Sequence, residues 1–150
     1  MESRDLPAIV DSFAPDAVLH SPFTSKLTFT GHEEIGAVTK VILDVFEDLH
    51  YTDEVRSGDS AFLVSCARVG GLDIEMIDHI LLNANDKIQD FTVFFRPLPA
   101  AAAALRLIGA GLGRRKGQFT AATMSTLAGP LAFMTRVGDG VGVRMVRSAL

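Results

Sequence analysis

The sequence predicts an α+β domain built on a mostly antiparallel sheet, and three observations carry that reading. Helical spacing of apolar residues is confined to two stretches near the start and one after residue 99, whereas the stretch from residue 50 to 98 reads as four long strands. The last three of those strands are joined by short turns, Gly70-Gly71 and Asn83-Ala84-Asn85-Asp86, which tie neighbours into antiparallel hairpins. Helices and strands are thus segregated rather than alternating, the order expected of α+β folds.

Taken in order, Asp5 and Pro7 mark a helix start, and Leu6, Ile9, Val10 and Phe13 recur on one face of a short amphipathic helix. Pro15-Asp16 breaks that pattern. Two short strands, Ala17 to Ser21 and Lys26 to Thr30, follow around the turn residues Pro22 and Ser25. A second helix opens at Gly31, with Glu33 and Glu34 where the N-terminal dipole favours negative charge. Its buried stripe is Ile35, Val38, Ile42, Val45 and Leu49. The long strands are His50 to Ser57, Ser60 to Val69, Leu72 to Leu82 and Lys87 to Leu98. After Pro99 an alanine-rich helix carrying Leu105, Leu107, Ile108 and Leu112 is expected to end in the glycine cluster Gly109 to Gly113.

At 150 residues the chain has room for one domain with a real core. Its single cysteine, Cys66, cannot pair within the chain, and the polar start is unlike a signal peptide, so a cytoplasmic location is expected. The net charge of −4 divides unevenly: residues 1 to 98 carry 7 Lys/Arg and 17 Asp/Glu, and residues 99 to 150 carry 7 Lys/Arg and one acidic residue, Asp139. Two segments follow from this contrast, a body over 5–98 and an apolar, basic helical extension over 99–150. The extension is expected to pack on its own acidic body or on that of a second copy. Its basic residues are scattered among apolar ones, which argues against nucleic acid. The uncharged stretch Gln118 to Thr135 is diluted by four threonines and the Gly129-Pro130 break, so contact of the extension with a membrane is the less favoured reading.

One residue breaks the pattern. Strand alternation sets Asp78 on the same face as Leu72, Ile74, Met76, Ile80 and Leu82, where a carboxylate loses its solvation. It must have a dedicated partner or hold its proton near neutral pH. Pairing Val69 with Leu72 sets Leu63 opposite Asp78, and pairing Leu82 with Lys87 sets Phe91 opposite it on the other side. Ser65, Met76, Val93 and Phe95 share that face. Phe62, Val64, Ile77, His79, Leu81 and Phe94 fall on the other, and both faces are apolar enough to require cover. Other chemistry is poorly supported: the glycine series at 109–113 and 138–142 lack the strand-loop-helix context of a phosphate cradle, and no nucleophile elbow exists. The four histidines and Cys66 lack metal-ligand spacing, so neither metal nor cofactor is expected.

The series Phe13-Ala14-Pro15-Asp16-Ala17-Val18, Ser21-Pro22-Phe23, Gly31-His32-Glu33-Glu34-Ile35, Ile77-Asp78, Lys87-Ile88 and Arg96-Pro97 resembles the SnoaL-like branch of the nuclear transport factor 2-like superfamily. The resemblance covers about residues 5 to 98. It implies a curved sheet wrapped by helices into a cystatin-like cone, an apolar pocket on the concave face, and a homodimer through the outer sheet face. Relatives include ketosteroid isomerases, polyketide cyclases and epoxide hydrolases, together with members lacking chemistry. Asp78 matches the oxyanion-stabilising aspartic acid of ketosteroid isomerase. The isomerase's base position is occupied by Ser21, the hydrolase's water-activating aspartate falls near Val93, and the isomerase's first helix with its tyrosine has no counterpart, a gap the C-terminal extension is expected to fill. The function expected is binding of an apolar small molecule bearing a carbonyl or hydroxyl, with Asp78 as the acid and Ser21, Leu63, Ser65, Met76, Phe91, Val93 and Phe95 around it. An isomerase, cyclase or hydrolase using Asp78, with His20 as the nearest base in sequence, is one alternative. An interaction protein whose tail fills its own pocket is the other.

Overall fold

The computed structural model of the chain describes residues 4–116, 130, 133–139, 144, 146 and 147. Over residues 6–116 the elements follow in the order α1 (Leu6–Asp11), β1 (Phe13–His20), β2 (Thr28–Thr30), α2 (Gly31–Val45), β3 (Glu47–Ser57), β4 (Ser60–Val69), β5 (Leu72–Leu82), β6 (Ile88–Arg96) and α3 (Leu98–Lys116). One sheet results, in the order β2-β1-β6-β5-β4-β3, antiparallel throughout except where β1 runs parallel to β6. The α+β class and the mostly antiparallel sheet are as expected.

Local chemistry explains the element ends. The Asp5 carboxylate accepts from the Ala8 N–H at 3.1 Å and caps α1, with Pro7 in the first turn. That helix is shorter than the apolar spacing suggested: Phe13 belongs to β1, where it is buried, and Pro15-Asp16 lies within the strand rather than ending a helix. Gly31 opens α2 at a φ of +71°, and a Cβ there would stand 3.0 Å from the Pro15 carbonyl oxygen, so glycine is required twice over. Glu34 accepts the Thr30 N–H at 2.7 Å, satisfying a donor at the helix entry.

The β4–β5 hairpin has the expected register, Val69 against Leu72 and Leu63 against Asp78. The β5–β6 register differs. The Asn83 side chain accepts from the Asn85 and Lys87 N–H groups, and Asn83 N–H donates to the Lys87 carbonyl, which lengthens the loop by one residue. A bulge at Gln89 adds another, so Leu82 faces Ile88, Leu81 faces Asp90, and Asp78 faces Val93 rather than Phe91. The two offsets together restore the parity, and Phe91, Val93 and Phe95 therefore stay on one face.

The inner face of the sheet, α1, α2 and α3 enclose the core, centred on Phe13, Ile35, Val69 and Ile74. The third helix does not stop at its glycines. It runs through Gly109, Gly111 and Gly113 to Lys116, and Gly111 permits a close helix contact there: a Cβ at that position would come within 2.4 Å of Val41 Cγ1 on α2. Ala100, Ala104 and Ile108 of α3 are buried in the same core as the sheet. On the outer face Phe62, Ile77, Leu81 and Phe94 are exposed in the single chain. No described helix is long and apolar enough to cross a membrane, and the uncharged stretch Gln118 to Thr135 lies largely outside the described residues.

Candidate functional site

Strand β5 presents Ile74, Met76, Asp78 and Ile80 inward, each no more than 5% exposed. Asp78 stands between Leu63 of β4 and Val93 of β6, so the carboxyl has an aliphatic side chain on either flank. Burial away from water raises its pKa from 3.8 to about 7. The group is therefore divided between neutral and ionised forms around neutral pH, and its neutral form carries an O–H that can donate.

In front of Asp78 lies a cavity of about 100 Å³. The sheet supplies its floor with Ser65, Met76, Phe91, Val93 and Phe95, and the segment after β1 contributes Ser21, Pro22, Phe23 and Leu27. Val38 and Ile42 of α2 form one wall and Leu105, Ile108, Gly109 and Leu112 of α3 another. Phe95 is fixed by edge-on contacts with Phe23 and Phe46, ring centroids 5.5 and 6.0 Å away, and Phe91 packs on Phe13 at 5.6 Å. Among the described lining side chains, Ser21, Tyr51, Ser65 and Asp78 carry polar groups. The Ser21 hydroxyl already accepts the Phe23 N–H at 3.2 Å, which tightens the turn that brings Ser21, Pro22 and Phe23 to the cavity.

Seven of the eight residues singled out from sequence, Ser21, Ser65, Met76, Asp78, Phe91, Val93 and Phe95, line this cavity. Leu63 does not. It lines a second cavity of about 240 Å³ beneath α1, together with Ala8, Ile9, Ser12, Phe13, Tyr51, Ile80, Ile88 and Phe91. His20, the nearest base in sequence, lies on the other face of the sheet, where its Nε2 meets Asp90 Oδ2 at 2.8 Å. Among the described residues no second carboxylate, histidine or lysine lines the cavity beside Asp78. Nor does any described group of three or more His, Cys, Asp or Glu side chains stand in position to hold a metal ion.

Sequence reasoning missed the second half of the wall. Tyr51 escaped because β3 pairs with β4 irregularly between Tyr51 and Asp53, which destroys the alternation that would have shown its face. The α3 residues were readable as a helical stripe at 105, 108 and 112, but nothing in their spacing said that the stripe faces Asp78.

A mostly antiparallel sheet covered by helices, with a carboxyl on the floor of the cavity between them, is a cystatin-like arrangement, and comparison with solved structures makes the class specific. A steroid delta-isomerase from Pseudomonas aeruginosa is 32% identical over 80% of this chain and 85% of that one, with a TM-score of 0.66. An uncharacterised bacterial protein with a cystatin-like fold from Silicibacter pomeroyi is 28% identical over 75% and 76% of the two chains, also at a TM-score of 0.66. An epoxide hydrolase/cyclase-like enzyme of pyran ring formation in salinomycin shares the fold at 17% identity, covering 63% of this chain and 80% of its own, with a TM-score of 0.54. Compared with protein-family models and with curated proteins, the chain matches none. The chain belongs to the SnoaL-like branch of the nuclear transport factor 2-like superfamily, among proteins of ketosteroid isomerase-like fold.

Proposed function

We propose that this protein binds a largely apolar small molecule through a carbonyl or hydroxyl that the neutral carboxyl of Asp78 contacts by donating a hydrogen bond. The observation that carries the reading is the placement of a buried carboxyl on the floor of a mostly apolar cavity, whose other described polar groups are the hydroxyls of Ser21, Tyr51 and Ser65. The neutral form spares the site the larger cost of burying a charge, and a ligand carbonyl or hydroxyl would satisfy its O–H. Six of the other residues named from sequence line the cavity with that carboxyl, which supports their role as ligand contacts.

Binding is favoured over turnover because proton transfer at carbon needs a base within hydrogen-bond reach of the reacting atom. The position of the isomerase's base is Ser21, and the remaining polar lining groups are Ser65 and Tyr51, neither of which is basic at neutral pH. The steroid delta-isomerase from Pseudomonas aeruginosa keeps an isomerase reading in contention, with Asp78 as its acid. Turnover of a β,γ-unsaturated ketone that Asp78→Asn abolishes in a folded protein would establish it over binding.

The test uses the chain's own chromophore. Tyr51 is the only tyrosine and there is no tryptophan, so intrinsic emission comes from the cavity wall. Titration with an apolar ketone should change Tyr51 emission at pH 5, where Asp78 is neutral, and the affinity should fall about tenfold by pH 8, where roughly a tenth of the carboxyl retains its proton. Asp78→Leu should abolish the strong binding. A wild-type affinity that is constant from pH 5 to 8, or unaltered in Asp78→Leu, would refute the proposal.

A second copy of the chain is the natural cover for the outer face. Phe62, Ile77, Leu81 and Phe94 form an exposed apolar row across β4, β5 and β6, and a homodimer through that face would remove it from water. The lone cysteine supports a cytoplasmic location, since no intrachain disulfide is available for an oxidising compartment.

A further inference from the structure

The two cavities of the inner face share Tyr51 and Phe91 as walls, and Asp78, which lines the first, stands on β5 between a residue of each. Along β5, Met76 lines the main cavity and Ile80 the cavity beneath α1, with Asp78 between them on the same face. At about 3.3 Å per residue the step from Met76 to Ile80 is roughly 13 Å, which leaves the carboxyl near the midpoint. The neighbouring strands repeat the division: on β4, Ser65 belongs to the first cavity and Leu63 to the second, and on β6, Phe95 belongs to the first and Ile88 to the second. Tyr51 and Phe91 are walls of both. The boundary between the cavities is therefore made of side chains.

Size decides that one cavity is not enough. The main cavity, about 100 Å³, is smaller than the roughly 150 Å³ void that accommodates a benzene ring, and well below the range of small-molecule pockets, about 300 to 1,000 Å³. The second, about 240 Å³, brings the combined trough to the lower end of that range. Both are apolar. Among the described residues the polar side chains of the second cavity are Ser12 and Tyr51, and Ser12 donates its hydroxyl to the Ile9 carbonyl at 2.6 Å.

We infer that the ligand carries its carbonyl or hydroxyl in its interior, flanked by apolar groups on both sides, one seated under α3 and the other under α1. This rests on the binding reading above and adds the ligand's shape to it. A molecule with the polar atom at one end would fill one cavity and leave the other to water or empty, forfeiting apolar burial. The two-sided trough rewards a central polar atom instead.

The test is a pair of isomers, nonan-5-one and nonan-2-one, titrated by calorimetry and by Tyr51 emission at pH 5.5. Nonan-5-one is expected to bind at least fivefold more tightly. Leu63→Phe, which fills the second cavity, should weaken nonan-5-one at least fivefold while changing nonan-2-one less than twofold. Ala8→Leu narrows the same cavity from an exposed position on α1, adds no chromophore, and should act in the same direction. Circular dichroism establishes that each variant is folded. Equal affinities, a preference for nonan-2-one, or a preference unchanged in both folded variants would overturn the inference. If the isomers bind equally and both depend on Asp78, the binding reading survives and the two-sided ligand fails; if neither isomer binds at millimolar concentration, both fail.

Discussion

Replacing Asp78 with asparagine should make the protein's stability less dependent on pH, by an amount that follows from the buried carboxyl. The native pKa is raised to about 7 from 3.8 by loss of solvation, so between those two values the folded chain holds a proton that the unfolded chain has released. Stability contributed by this site is thus complete below about pH 4, falls as pH rises toward 7, and is constant above. The slope is about 1.4 kcal/mol per pH unit and the full loss is about 4 kcal/mol. Between pH 4.5 and 7 the loss is about 3 kcal/mol. Asparagine is nearly isosteric and does not titrate. Its own burial cost is the same at every pH, and the other carboxylates cancel when the two proteins are compared. Urea denaturation of both at pH 4.5, 5.5, 6.5, 7 and 8 gives the difference directly, provided the m-values agree. The Asp78→Asn variant should gain on the wild type by about 3 kcal/mol from pH 4.5 to 7 and little further above. A difference that is flat across the series, or that moves the other way, would refute the claim that Asp78 is held neutral by burial.

Two further outcomes follow from the packing. Gly111→Ala sets a helix-propensity gain of about 1 kcal/mol against a Cβ placed 2.4 Å from Val41, a stiff β-branched side chain that has little room to yield. Overpacking of this kind costs about 1 to 3 kcal/mol, so thermal denaturation should show a lower midpoint; a raised midpoint would mean that α2 and α3 are not in contact. Phe94→Glu puts a charge on the exposed apolar face, and sedimentation velocity should give a dimer for the wild type and a monomer for the variant, with the circular dichroism spectrum unchanged. Wild-type protein that sediments as a monomer at micromolar concentration would remove the dimer proposal.

Much of the fold was legible because each hairpin announced itself. Gly70-Gly71 allowed only one register for β4 and β5, and the apolar alternation of β5 then set Asp78 inward. The β6 register was misjudged because its loop gains a residue through the Asn83 side-chain hydrogen bonds and the strand gains another through the bulge at Gln89, neither of which leaves a mark in composition. Since the pleat has a period of two, the two insertions left Phe91, Val93 and Phe95 facing the cavity all the same. Leu63 is the opposite case: its face was right, but whether a side chain on that face meets the main cavity or the space under α1 depends on where the helices lie. Helix placement also hid the contributions of Leu105, Ile108 and Leu112. The glycines of α3 were misread as a terminus for a related reason, since the close approach of Val41 that requires Gly111 is a contact between distant segments.

The central claim is that a neutral Asp78 carboxyl donates to the ligand, and ¹³C NMR of that carboxyl across pH tests it most directly. Free protein should show Asp78 titrating near 7, and saturation with nonan-5-one should move the midpoint upward, because the ligand binds the protonated form preferentially. A native midpoint near 4, or one that the bound ketone leaves in place, would contradict the account.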